Sequence, residues 1–255
     1  MLKYKNYKEG EKMIQLNCDM GESFGIWKMG EDEQIMPYIN MANLACGFHA
    51  SDSLTIKKSV ELAVKHNVTI GAHPSYQDLV GFGRRSIACS NEEITAIILY
   101  QIGALNGFCQ VYNTKISYVK PHGALYNDMM KNENIFKAIL KAISSFNKNI
   151  KLMILSTPNY EEFESIATLY GIELLYEVFA DRNYNDNGSL VSRTEQNAVV
   201  SDEKEVIQRV KILATDGYIN SINGIKLFIK ADTICVHGDG ENALSFIKGL
   251  KKVLN

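Results

Sequence analysis

Paired cysteines, prolines and a surplus of either charge are all scarce in this sequence. Its five cysteines, Cys18, Cys46, Cys89, Cys109 and Cys235, are odd in number and form no C-x-x-C pair. That spacing speaks against a disulfide framework or a zinc knuckle, and reduced thiols in a cytoplasm are expected. Cys18, Cys46 and Cys235 end apolar runs, where a small buried hydrophobe is a better reading than a catalytic thiol. Only 4 of the 255 residues are proline, and no Pro- or Ser-rich linker divides the chain. With 27 Lys and Arg against 29 Asp and Glu, the net charge of -2 gives no electrostatic reason for a nucleic acid or an acidic membrane as partner. No apolar run is read as long enough to cross a membrane. The opening MLKYKNYKEGEK is polar and lacks the apolar core of a signal peptide. It is expected to be a short N-terminal extension, 1–12, ahead of one catalytic domain, 13–255.

What the chain does have is alternation. Short apolar, β-branched runs at 13–18, 41–46, 68–72, 116–120, 151–155, 172–179 and 232–237 predict strands. Between them, helical periodicity predicts helices around 53–66, 91–109, 133–146, 160–170, 202–216 and 241–253. Ser90 with Glu93 reads as a capping box, and Asp202 with Glu205 as a similar pair. The helix at 53–66 is expected to bury Ile56, Val60, Ala63 and Val64 on one face. Strand-helix alternation throughout predicts a parallel sheet covered by helices, in the α/β class. Seven strands suggest a closed barrel, although an open doubly wound sheet has the same local pattern.

Reactive side chains follow nearly every predicted strand. The first is followed by Asn17, Asp19 and Glu22, the second by His49 and Asp52, and the third by His73, Asp78, Arg84 and Arg85. The fourth leads into Lys120 and His122, the sixth into Glu177, Asp181 and Arg182, and the seventh into His237 and Asp239. In parallel α/β folds the C-terminal strand ends share one rim, where ligands bind. A lone strand-end histidine is best read as a satisfied structural group; four at equivalent places point to a site. In VKPHG, Pro121 and Gly123 would shape the turn that presents Lys120 and His122. Ser51 and Ser53 flank Asp52 before a helix, where capping is the better reading. GFGRR could hold an anion or be a tight loop with two solvated arginines. GIWKMGED lacks the Lys-Ser/Thr of a P-loop, and neither G-x-G-x-x-G after a strand nor H-E-x-x-H occurs.

Taken together, LNCDMGESFG, NLACGFHASD, GAHPSYQDLVGFGRR, YQIGAL, VKPHGALYN, EVFADRNY, GSLVSR and ICVHGD resemble the LamB/YcsF family, in order, from about Gln15 to Asp239. The resemblance implies a seven-stranded (β/α) barrel of the glycoside hydrolase/deacetylase type. It also implies the role described for that family, the A component of the prokaryotic 5-oxoprolinase. There 5-oxo-L-proline (pyroglutamate) is opened to L-glutamate at the expense of ATP, together with separate B and C subunits. Two departures stand out: Ser51-Asp52-Ser53 replaces the family's Gly-Asp-Pro after GFHA, and Asn197-Ala198 stands where Gly-Ala is usual.

Such chemistry needs cations against phosphate, a base for water and an acid for the ring nitrogen. Lys120, Arg84 and Arg85 are candidates for the first duty, with Asn17, Asn43 and Arg182 as substrate- or phosphate-binding groups. His49, His73, His122, His237, Asp19, Glu177, Asp181 and Asp239 are candidates for acid and base roles. Asp19, His49, His73, Lys120 and His122 are expected in one pocket. Two alternatives stay open. Asp19, His49, His73 and His122 could hold a divalent metal in a stand-alone deacetylase or amidohydrolase, or the chain could be a non-catalytic binding subunit.

Overall fold

The computed structural model describes residues 13–236 and 243–254. The expected extension 1–12 and the pair His237 and Asp239 lie outside the described residues. Seven parallel strands close into a barrel in the order β1 (Gln15–Met20), β2 (Met41–Ala45), β3 (Thr69–His73), β4 (Ile116–Val119), β5 (Lys151–Leu155), β6 (Leu174–Phe179) and β9 (Thr233–Cys235). Closure is direct: β9 pairs with β6 through Phe179 and Cys235 and with β1 through Asn17 and Cys235. All seven predicted strands are present within a few residues, and the barrel is closed.

The surrounding helices are α1 (Asp32–Ile35), α2 (Ser53–Lys65), α3 (Asn91–Val111), α4 (Gly123–Lys131), α5 (Glu133–Phe146), α6 (Tyr160–Leu169), α7 (Glu203–Asp216) and α8 (Ala243–Leu254). Ser90 and Glu93 form the expected reciprocal capping box on α3. Asp202 caps α7 by accepting from the Lys204 and Glu205 amides. Asp52 caps α2 through the Leu54 and Thr55 amides, as its setting suggests. On α2, Ile56, Val60 and Ala63 are buried, but Val64 is exposed. At helical spacing Val64 falls about 90° from the centre of the buried stripe, and Ser59 takes the inner place instead. A small antiparallel hairpin, β7 (Tyr218–Asn220) with β8 (Lys226–Phe228), is not predicted by sequence, because three residues are too few to show a period. Contrary to expectation, α3 is long and apolar enough to cross a membrane by length and composition. Ile94, Ile98, Ile102, Leu105 and Cys109 of α3 are instead buried in the core between barrel and helices.

Period-two alternation sorts β1 between two environments. Leu16, Cys18 and Met20 join the large apolar core, while Asn17 and Asp19 bond to Asn43 on the neighbouring β2 and to Lys120 after β4. The lower lumen is plugged by Met41, Tyr118, Met153 and Leu175. Gly71 makes room for this plug, since a Cβ there would lie 2.1 Å from the Tyr118 ring. Tyr118 thereby reaches across to donate its hydroxyl to Asn43 Oδ1 at 2.6 Å.

The two departures from the family's glycines occupy positive-φ positions: Ser51 at 76° and Asn197 at 62°. At both positions the backbone has the conformation that favours glycine. Ser51 is also buried, and its Oγ has no hydrogen-bond partner. Ser51→Gly is therefore expected to raise stability by about 1 kcal/mol, read from urea unfolding. An unchanged or lower midpoint would show that Ser51 is not strained.

Candidate active site

At the C-terminal rim a single ammonium group organises the lumen. Lys120 follows β4 and crosses the barrel to reach Asp19 Oδ1 on β1 at 2.9 Å and Glu177 Oε1 on β6 at 2.8 Å. Its Nζ also lies 3.3 Å from the Cys235 sulfur and 3.4 Å from Asn17 Oδ1. Lys120 is 3% exposed and Glu177 fully buried. Burial alone would depress the lysine, but Asp19, the Cys235 sulfur and Glu177 outweigh it and hold its pKa well above the ordinary lysine value. The group is an ammonium ion at neutral pH.

Asparagines brace this centre. Asn43 Nδ2 donates to Asp19 Oδ1 at 2.7 Å and to Asn17 Oδ1 at 2.8 Å, and Asn17 Nδ2 donates to Thr233 Oγ1 at 2.9 Å. Tyr126 on α4 donates to Glu177 Oε2 at 2.9 Å. The carboxylates thus have fixed directions before any substrate arrives.

Beside the ammonium lie three imidazoles. His73 ends β3, and Gly123, at φ 56°, opens α4 directly after His122. A Cβ at Gly123 would lie 2.5 Å from the Gly83 carbonyl oxygen, so this close approach of two loops requires a glycine. The His49 and His122 rings stack at 3.7 Å and 3°. His73 Nδ1 sits 2.6 Å from the Lys120 carbonyl and His122 Nε2 3.0 Å from the Phe82 carbonyl. Burial and the neighbouring His73 push the His49 pKa well down; burial, His49 and His73 do the same to His122. His73 Nε2 lies 3.4 Å from Asp19 Oδ2, which joins the imidazoles to the Lys120 centre. Asp19, His49, His73, Lys120 and His122 do share one site.

Glu22 belongs to it too. Its Oε1 is 3.1 Å from His49 Nε2 and 3.5 Å from His122 Nδ1. Ligand atoms of Glu22, His49, His73 and His122 all lie within 4.8 Å of one another, a grouping compatible with a divalent metal. The carboxylate of this group is Glu22, not the expected Asp19, whose Oδ1 is committed to Lys120 and Asn43. A cavity of about 310 Å³ opens onto Glu22 and His49, walled by Phe24, Trp27, Met29, Leu79, Val80 and Phe82.

Other candidates have structural uses. Arg85 pairs with Asp78, with Nε 3.0 Å from Oδ2, closing the GFGRR loop on itself. The Arg84 guanidinium lies over the Phe82 ring at 5.1 Å. Arg182 is buried and donates to the Ala198 and Val191 carbonyls at 3.2 and 2.6 Å, which anchors the loop after β6. Asp181, on the same rim, accepts through its carbonyl from the Val200 amide at 2.8 Å.

Removing Lys120 would leave two carboxylates in the lumen without their cation. Lys120→Met is expected to cost about 3 kcal/mol of stability, and combining it with Glu177→Gln should recover part of that loss. Strict additivity of the two changes in urea unfolding would show that the pair is not coupled.

Comparison with known proteins agrees with this architecture. A Vibrio cholerae protein, named as the A component of 5-oxoprolinase, is 51% identical over 245 residues, covering 96% of this chain and 99% of its own. One of the same name from Bacillus cereus is 49% identical over 237 residues, covering 93% of each. The crystal structure of a lactam utilization protein from Thermus thermophilus superposes with a TM-score of 0.88 at 36% identity, over 95% of this chain and 96% of that one. The LamB/YcsF family model matches residues 14–255, and the chain belongs to the LamB/YcsF family.

Proposed function

We propose that this chain is the A component of a 5-oxoprolinase, opening the lactam of 5-oxo-L-proline to L-glutamate with ATP as co-substrate and B and C subunits as partners. The observation that carries the reading is the buried Lys120 ammonium, fixed between Asp19 and Glu177 beside three imidazoles. Full-length relatives named as this 5-oxoprolinase component supply the substrate. The free cysteines among the described residues suit a cytoplasmic setting.

An unstrained amide carbonyl is a weak electrophile. Phosphoryl transfer from ATP to the lactam oxygen would release ADP and make the ring carbon attackable. Water then adds, the carbon–nitrogen bond breaks as nitrogen takes a proton, and a second water hydrolyses the resulting acyl phosphate. Each stage places negative charge on oxygen, which a preorganised ammonium in a dry lumen stabilises better than bulk water does. Asp19, whose side chain is 13% exposed at the edge of the imidazole group, would take a proton from water. Burial favours the neutral form of His49 and His122.

The rim of the cavity offers the partner subunits a seat. Trp27 and Val80, which line it, are 68% and 93% exposed. Apolar side chains rimming a polar site are a surface that another protein covers.

The test is turnover of 5-oxoproline by the purified chain, by the B and C subunits, and by all three, each with and without ATP. Only the complete mixture with ATP should release glutamate. Glu177→Gln should lower kcat by about a hundredfold while still assembling. Full turnover without this chain would refute the catalytic role, and turnover by the chain alone without ATP would favour a stand-alone amidohydrolase.

A further inference from the structure

We propose that Glu22, His49, His73 and His122 bind one divalent transition-metal ion of the zinc class. The inference stands apart from the lactam reading, because it follows from where the hydrogens on two imidazoles must be.

A carbonyl oxygen only accepts hydrogen bonds. His73 Nδ1, 2.6 Å from the Lys120 carbonyl, must therefore carry its hydrogen, which leaves a lone pair on Nε2. His122 Nε2, 3.0 Å from the Phe82 carbonyl, must carry its hydrogen too, which leaves a lone pair on Nδ1. Those two bare nitrogens, His73 Nε2 and His122 Nδ1, face each other at 3.0 Å. Two lone pairs repel at that distance, so a positive centre has to lie between or beside them.

More acceptors turn to the same point. Glu22 Oε1 is 3.5 Å from His122 Nδ1, and Asp19 Oδ2 is 3.4 Å from His73 Nε2. His49 closes the group with Nε2 at 3.1 Å from Glu22 Oε1. Backbone carbonyls hold the far nitrogens of His73 and His122, the usual support of metal-binding histidines, while Nδ1 of His49 is buried without a hydrogen-bond partner. The spacing agrees as well: bonds of about 2.1 Å in a tetrahedron separate ligand atoms by roughly 3.4 Å. Three of the contacts here, 3.0, 3.1 and 3.5 Å, bracket that edge, and all four ligand atoms lie within 4.8 Å of one another.

The donors also select the ion. Three imidazoles and one carboxylate suit zinc, cobalt or ferrous iron, whereas calcium and magnesium prefer oxygen throughout. Each of the adjacent strands β1 to β4 delivers one ligand, so the ion would tie the first half of the barrel together at its rim.

The rival is a proton shared between His73 and His122, and metal titration separates the two. The full-length chain, stripped with a chelator, is titrated with Zn²⁺ and with Co²⁺ alone, following stoichiometry and the visible absorption of Co²⁺. One ion per chain with a tetrahedral Co²⁺ spectrum is expected. Glu22→Gln and His122→Ala should each weaken Kd by about a hundredfold or more. His66→Gln, at the end of α2 and outside the site, should leave Kd unchanged. Circular dichroism on each variant confirms that weakened binding is not unfolding; if His122→Ala does not fold, the isosteric Glu22→Gln decides alone. Absence of stoichiometric binding, or equal affinity in wild type and Glu22→Gln, overturns the proposal.

Discussion

A charged lysine in the middle of a barrel is the constraint around which the rest of this molecule is arranged. Lys120 reaches from β4 to β1, β6 and β9, so strands on opposite sides of the lumen meet at one nitrogen. Isolated there, the ammonium would be expelled by its own desolvation cost; with two carboxylates and the asparagine braces it is retained. Below that centre the lumen is filled by Met41, Tyr118, Met153 and Leu175. Gly71 makes the filling possible, because Tyr118 occupies the space a side chain there would need.

The imidazole group grows out of the same arrangement. The Lys120 carbonyl orients His73 while its side chain neutralises Asp19, and Asp19 in turn faces His73. One residue thus serves both halves of the site through two different groups. Glu22 and His49, at one edge of the imidazole group, line a cavity walled by apolar side chains.

Much of this was legible in the sequence. Each barrel strand is a short apolar run followed by a polar cluster, and a parallel sheet puts all such clusters on one rim. Periodicity alone left closure open, since the pairing of β9 with both β1 and β6 leaves no local trace; the strand count and the family resemblance pointed to the closed barrel that is found. Glu22 was visible as a polar residue after β1, yet nothing nearby indicates that the turn at Gly21, with φ 71°, brings it over His49. Arg85 and Arg182 looked like anion-binding groups, and their structural use depends on contacts with Asp78, Val191 and Ala198 that composition cannot reveal. Ser51 and Asn197 were recognisable as substitutions for glycine, but only the backbone shows that both adopt the conformation that favours glycine.

The charge state of Lys120 is the point on which the account turns, and nitrogen NMR of the lysine side chains reads it directly. The Lys120 resonance, assigned by its loss in Lys120→Met, should still be that of an ammonium at a pH of about 10.4, where an ordinary lysine is half deprotonated. A neutral amine there, or at neutral pH, would contradict the cation-centred lumen and the chemistry built on it.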